Sequence, residues 1–254
     1  MQHRYKATVV ASCLCLSSPS FAADWSNTEV IFAKGNLENP FTKKRESTNI
    51  VTFQHASSWK YGTNFLFIDH TTKDNGNDFY GEWYPFFSSN KILGTEYGGI
   101  IKDVGLVLGI NAGPDGDNNV LKYLPGLQID FNFPGFNFFG IALTGYIEQT
   151  KNKNLREEDS YMLDIFWQYP FSLGNQHFSF EGHGEYIGAR DLELSGEKLE
   201  GHALIQPQLR WDLGKTLWEE ENLVQLGIEW QHWTHKFGTK ETENSLKFLF
   251  VWKL

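Results

Sequence analysis

Polar and aromatic side chains that could hold a small planar solute recur at every second residue of several segments. Aromatic rings can stack on a planar base, while carboxylate, amide and basic groups can hydrogen-bond to its edges or to a sugar hydroxyl. The predicted substrate-binding residues are Tyr80, Glu82, Tyr84, Gln128, Asp130, Tyr146, Glu148, Asp164, Phe166, Glu181, Glu185, Gln206, Gln208, Arg210, Glu229, Gln231 and Lys247. Their selection follows from the two-residue periodicity of strands, so a register error of one residue would exchange the two faces.

Two groups of residues could support other chemistry. His55 and Ser57 share a strand face and could begin a lipid-facing hydrolase site, but no acidic residue that would orient the histidine is identifiable. His183 lies between Glu181 and Glu185 at metal-ligand spacing, yet one histidine and two carboxylates without further ligands more often form a solvated network. We therefore predict no catalytic residue, no enzymatic activity, no metal site and no cofactor.

The last ten residues, SLKFLFVWKL, best identify the elements that position these side chains. Leu246, Phe248, Phe250, Trp252 and Leu254 share one face of a single strand, and Lys247 and Lys253 share the other. Strict alternation that ends the chain on an apolar outer face is typical of a lipid-facing strand that closes a barrel, although a soluble sheet can also end on such a strand.

Twelve candidate strands follow from the same alternation. They cover residues 27–35, 49–61, 64–71, 78–87, 103–111, 122–133, 138–149, 161–171, 177–189, 202–213, 223–234 and 245–254. The connections at 60–63, 134–137 and 172–176 are compact, whereas those at 36–47, 72–77, 151–160, 190–201 and 236–244 are longer and charged; 88–102 and 214–222 break this alternation. Short turns at one end and long loops at the other indicate an all-β, up-and-down antiparallel transmembrane barrel with a narrow lumen.

Alternation alone does not separate a membrane barrel from a soluble sandwich, in which the apolar faces look inward instead of outward. Several tryptophans favour the barrel because they lie in or at the ends of strands, where an interfacial aromatic girdle belongs. They are Trp83, Trp167, Trp211, Trp230, Trp233 and Trp252.

The N-terminus predicts secretion. Arg4 and Lys6 precede the apolar stretch 7–16, and Ser20-Phe21-Ala22 forms a small-residue cleavage site, so residues 1–22 read as a signal peptide and 23–254 as the barrel domain. Both cysteines lie inside this peptide, which excludes disulfide chemistry in the mature chain. The formal net charge of −9 argues against nucleic acid as a partner.

Five segments together resemble the Tsx-like nucleoside-specific channel family, which includes OmpK-type proteins. They are NIVTFQHASSWKYGTNFLFID (49–69), FYGEWYPFFS (79–88), LPGLQIDFNFPGFNFF (124–139), QPQLRWDLGK (206–215) and EWQHWTHKFG (229–238). The resemblance implies a monomeric, twelve-stranded barrel in the outer membrane of a Gram-negative bacterium, surrounded by lipid and lipopolysaccharide. Members pass nucleosides and deoxynucleosides and also serve as phage receptors; no binding residue matches the family position by position.

Two functions remain open at this stage. The first is a channel for passive diffusion of nucleosides or similar small solutes, with lumen carboxylates that disfavour anions. The second is a closed structural or adhesive barrel that acts through its charged loops on a phage or host surface.

Overall fold

The structure is a computed structural model and describes residues 23–73, 76–113 and 119–254. The predicted signal peptide, residues 1–22, lies outside the described residues. Within those ranges the strands are β1 (Trp25–Asn39), β2 (Lys44–Trp59), β3 (Gly62–Lys73), β4 (Gly76–Ser88), β5 (Ile101–Gly113), β6 (Val120–Phe131), β7 (Phe138–Glu148), β8 (Ser160–Leu173), β9 (Gln176–Ile187), β10 (Arg190–Asp191), β11 (Lys198–Leu199), β12 (His202–Asp212), β13 (Val224–Thr234) and β14 (Glu243–Lys253).

Twelve of these strands form a closed antiparallel barrel, and β10 and β11 form a separate two-stranded sheet between β9 and β12. The barrel closes where β1 pairs with β14, from Glu29 opposite Lys253 to Gly35 opposite Lys247. Every other contact in the barrel joins neighbours along the chain, with β10 and β11 set aside. The prediction of a twelve-stranded up-and-down barrel is confirmed.

Two short helices, α1 (Ser89–Leu93) and α2 (Leu213–Trp218), lie in connections at the end of the barrel that holds both termini. Ser88 begins α1 by accepting a hydrogen bond from the Lys91 amide, and Gly94 ends it in the left-handed conformation. None of the described helices is long and apolar enough to cross a membrane. We call this end the terminus end and the opposite one the loop end.

The connections differ in length less regularly than the sequence predicts. The predicted loop 36–47 shrinks because β1 and β2 stay paired up to Asn39 opposite Lys44. The predicted loop 72–77 shrinks in the same way, with Lys73 opposite Gly76. Polar residues at these places belong to strands, since a strand that extends beyond the membrane can carry polar side chains on both faces.

The outward face is an apolar belt. In β14, Phe248 is 67% exposed and Trp252 48%, while Leu249 and Val251 between them are buried. Leu106, Leu127 and Leu143 continue the belt around the barrel. A continuous apolar surface of this kind needs lipid around it, and barrels that carry one occur in the outer membrane of Gram-negative bacteria. The chain is an outer-membrane protein.

Most of the predicted girdle tryptophans lie on this outward face, but Trp233 does not. It pairs with the inward-facing Leu204, and its ring contacts Phe237 at 4.5 Å between centroids and the Lys236 ammonium at 5.2 Å. The prediction of an outward, girdle position for Trp233 was therefore wrong, because the residue faces inward near the end of β13 and packs against the loop that follows.

Candidate functional site

The candidate site is the lumen wall, and all seventeen predicted residues lie on inward faces of their strands. The alternation that orients β14 orients its neighbours, because residues directly opposite in an antiparallel pair point to the same side. Glu229 lies opposite Lys247 on β14 and opposite Gln208 on β12, for example. Fifteen of these residues fall into three groups, and Gln128 and Asp130 lie outside them; the role of all seventeen in solute binding stays a prediction.

The first group, here called the paired network, covers the inward faces of β1, β9, β12, β13 and β14. Its centre is Arg210, which forms ion pairs with Glu29 at 3.0 Å and with Glu181. Arg210 also donates to Gln208 at 2.7 Å. One guanidinium thereby fastens strands that are far apart in sequence, which its planar set of donors allows.

The paired network continues through a second ion pair. Lys247 contacts Glu229 at 2.5 Å and donates to Gln231 at 3.0 Å. Gln208 joins the two ion pairs by donating to Glu229 at 2.6 Å, and Gln206 donates to both Glu229 and Gln231 at 2.9 Å. Charges buried in this way are stable because each has a partner of opposite sign or a hydrogen bond.

The second group fastens two loops at the loop end and is here called the loop anchor. Lys122 on β6 forms ion pairs with Glu148 on β7 and, at 2.9 Å, with Glu157 in the loop between β7 and β8. Arg190, the first residue of β10, contacts Glu157 at 2.5 Å. Burial raises the pKa of the Glu157 carboxyl, but the charges of Lys122 and Arg190 outweigh this effect and hold the pKa below its usual value.

The third group, here called the acid–aromatic cluster, combines carboxylates with rings. Its members are Tyr80, Glu82, Tyr84, Tyr146, Asp164, Phe166 and Glu185. Glu82 accepts hydrogen bonds from Tyr80 at 2.5 Å and from Tyr84 at 2.8 Å. Asp164 on β8 lies directly opposite Glu185 on β9. Among the described residues, no cation lies within ion-pair distance of these three carboxylates.

Small residues on β5 and β7 make room for the rings of this cluster. Gly109 lies under Tyr84, and a Cβ atom at Gly109 would come within 2.6 Å of that ring. Gly140 lies under Phe166 in the same way, where a Cβ would come within 2.3 Å. The rings of β4 and β8 therefore lie flat along the wall of the lumen, and Tyr84 packs on a cluster that contains Tyr146 and Leu124.

The two predicted residues outside these groups lie nearer the terminus end. Gln128 donates to Asp130 at 2.8 Å, and Asp130 lies opposite the inward-facing Asp103 of β5.

The sequence prediction missed several inward residues. Two of them form ion pairs: Glu29 with Arg210, and Lys122 with Glu148. Both lie near strand ends, where the alternation was too short to assign a face. Asp69, which accepts from Thr52 at 2.5 Å, also belongs to the inward face. His55 lies outward beside Thr28, at 2.8 Å between Nδ1 and Oγ1. Among the described residues, no group of histidine, cysteine and acidic side chains could hold a metal ion.

Comparison with solved structures identifies the architecture. The NanC porin superposes with a TM-score of 0.55 at 11% identity, over 89% of this chain and all of that one. The fold is that of an outer-membrane porin. The KdgM porin gives a TM-score of 0.49 at 9% identity, over 89% of this chain and 99% of that one. No protein-family model and no curated protein sequence matches the chain. Similarity at such low identity shows the fold alone.

Proposed function

We propose that the protein is an outer-membrane channel for the passive diffusion of small solutes, with nucleosides as the preferred class. The observation that carries this proposal is the polar and charged inward face of a closed twelve-stranded barrel. Ionisable groups that line a lumen need water or partners, and several inward carboxylates of the described residues form no ion pair, among them Asp69, Glu82, Asp130, Asp164 and Glu185. Side chains donate hydrogen bonds to Asp69, Glu82 and Asp130, whereas no described side chain donates to Asp164 or Glu185. A water-filled lumen would hydrate these groups and provide the path for solute.

Preference for nucleosides is supported by the chemistry of the acid–aromatic cluster and by the resemblance of the five segments. Rings such as Phe166 and Tyr84 lie along the wall, where a base could stack on them. Carboxylates near the rings can accept hydrogen bonds from base amino groups and ribose hydroxyls. The excess of lumen carboxylates disfavours anions such as nucleotides.

Liposome swelling tests this function. Liposomes that contain the refolded mature chain should swell faster in a nucleoside than in a sugar of similar size. Phe166→Leu should reduce that preference, because the stacking surface is lost. Phe180→Leu is the matched control, since Phe180 is 43% exposed on the outward face. Equal swelling in nucleosides and sugars would contradict the solute preference, and the absence of swelling would contradict the channel.

A second function is favoured by the loop anchor. Glu157 and Arg190 hold the loops 149–159 and 188–201 to the barrel wall, and Leu194 is 69% exposed at the tip of the second loop. An ordered loop surface suits recognition by a phage or a host surface. Removal of residues 192–197 should then abolish phage adsorption while the channel properties stay unchanged; adsorption that survives this deletion would contradict the receptor function.

A further inference from the structure

Two carboxylates in the lumen wall have no counter-ion among the described residues. Asp164 and Glu185 lie directly opposite each other in the β8–β9 pair, and like charges in that arrangement destabilise a sheet. Their next neighbours across the sheet are Ala142 on β7 and Leu204 on β12. Neither neighbour can neutralise the pair, so the sheet itself does not supply the missing positive charge.

Two buried polar atoms at or near the same pair have no hydrogen-bond partner among the described residues. In the described parts of the chain, neither Asp164 nor Glu185 forms a hydrogen bond with another side chain, and Oδ1 of Asp164 is closed to solvent without a partner. Thr144, two residues along β7 from Ala142, is only 3% exposed, and its hydroxyl also has no partner. A buried polar group without a partner costs free energy, which a ligand that supplies the partner would recover.

Aromatic rings border this pair of carboxylates. Phe166 and Tyr84 lie along the adjoining wall. The Tyr146 ring already contacts cations elsewhere, with the Lys122 ammonium and the Arg190 guanidinium each 5.2 Å from its centroid. Rings at such distances attract positive charge, and their faces can also carry an apolar body.

We propose that the acid–aromatic cluster binds solutes that carry a protonated amine on an aromatic or apolar body. The ammonium group donates to Asp164 and Glu185, which relieves the repulsion between them, and the body of the solute stacks on Phe166 and Tyr84. This inference rests on the proposed channel function and goes beyond it by naming a second class of solute, distinct from the neutral nucleosides. It predicts that amines are favoured over neutral molecules of the same shape.

The test is isothermal titration calorimetry of the refolded barrel in detergent at pH 7, with 2-phenylethylamine and 2-phenylethanol as probes. The two probes share shape and ring, and only the amine carries a positive charge. We expect the amine to bind at least about tenfold more tightly than the alcohol. In the double variant Asp164→Asn, Glu185→Gln the preference should disappear.

Two further variants keep this test decisive. Glu96→Gln with Glu197→Gln removes the same total charge from exposed residues and should leave the preference intact. Glu185→Gln alone should weaken it if the double variant does not fold. Equal affinity for the two probes, or a preference that survives loss of both carboxylates, would overturn the inference. The titration needs no conduction, so failure of the channel function would appear separately, as absence of current or of swelling.

Discussion

The paired network and the acid–aromatic cluster line the same lumen, but the carboxylates of the first form ion pairs and those of the second do not. In the paired network, Arg210 forms ion pairs with Glu29 and Glu181, and Lys247 forms one with Glu229. In the acid–aromatic cluster, Asp164 faces Glu185, and no cation in the described part of the chain forms an ion pair with either. Both groups are made from inward residues at two-residue spacing, so the difference lies in which charges the barrel brings together.

The difference suggests separate roles for the two groups, one in stability and one in solute binding. Charges that are paired fix the positions of strands, because each partner holds the other in place. Charges that are left unpaired lower stability and persist where a solute or water can use them. We therefore expect substitutions in the paired network to affect folding first, and substitutions in the acid–aromatic cluster to affect solute binding first.

The largest effect is expected from Arg210→Met. The substitution leaves Glu29 and Glu181 buried without their cation, and breaking a buried ion pair costs about 3–5 kcal/mol. Urea unfolding of the refolded barrel in lipid vesicles should show this loss in the free energy of unfolding. Lys198→Met, at an exposed residue of β11, should change it by no more than about 0.5 kcal/mol. An Arg210→Met variant as stable as Lys198→Met would contradict the structural role of the network.

A smaller loss is expected from Gly109→Ala. The added Cβ would come within 2.6 Å of the Tyr84 ring, and overpacking of this kind costs about 1–3 kcal/mol. The same urea titration measures it, and displacement of Tyr84 should also weaken solute binding. Gly98→Ala is the matched control, since a Cβ at Gly98 would have no atom within 4 Å. Unchanged stability in Gly109→Ala would mean that the ring is free to leave the wall.

The smallest expected change in the free energy of unfolding is a gain and not a loss. Asp164→Asn removes one of two like charges that face each other, so the free energy of unfolding should stay the same or rise by up to about 1 kcal/mol. Glu229→Gln, made in the paired network, should lower it because Lys247 loses its carboxylate. Urea unfolding of the two variants side by side checks the contrast; a clear loss of stability in Asp164→Asn would show that this carboxylate is structural.

The alternation of residues predicted the strands and the two faces of each strand, and the positions of the tryptophans favoured a barrel over a sandwich. Leu246, Phe248, Phe250 and Trp252 face outward as predicted, and Lys247 faces inward. A strand gives this information locally, since successive side chains point to opposite faces. Strand ends were less predictable, because Asn39 and Lys44 pair beyond the membrane, where no apolar face marks the strand.

The partners within the lumen could not be predicted. Arg210 and Glu29 are separated by 181 residues, and only closure of the barrel between β1 and β14 brings them together. Periodicity assigns Glu181 and Glu185 to the same face, yet Glu181 faces Gln208 and Arg210 lies near it, while Glu185 faces Asp164 and Leu204. Such differences depend on the register between strands, which a single sequence leaves open.

The central claim, a solute channel through this lumen, is tested most directly by current recordings from the refolded barrel, residues 23–254, in a planar bilayer. The account predicts a steady conductance that adenosine added on one side reduces, while a sugar of similar size does not. Reproducible absence of current from a barrel shown by circular dichroism to be folded would contradict it.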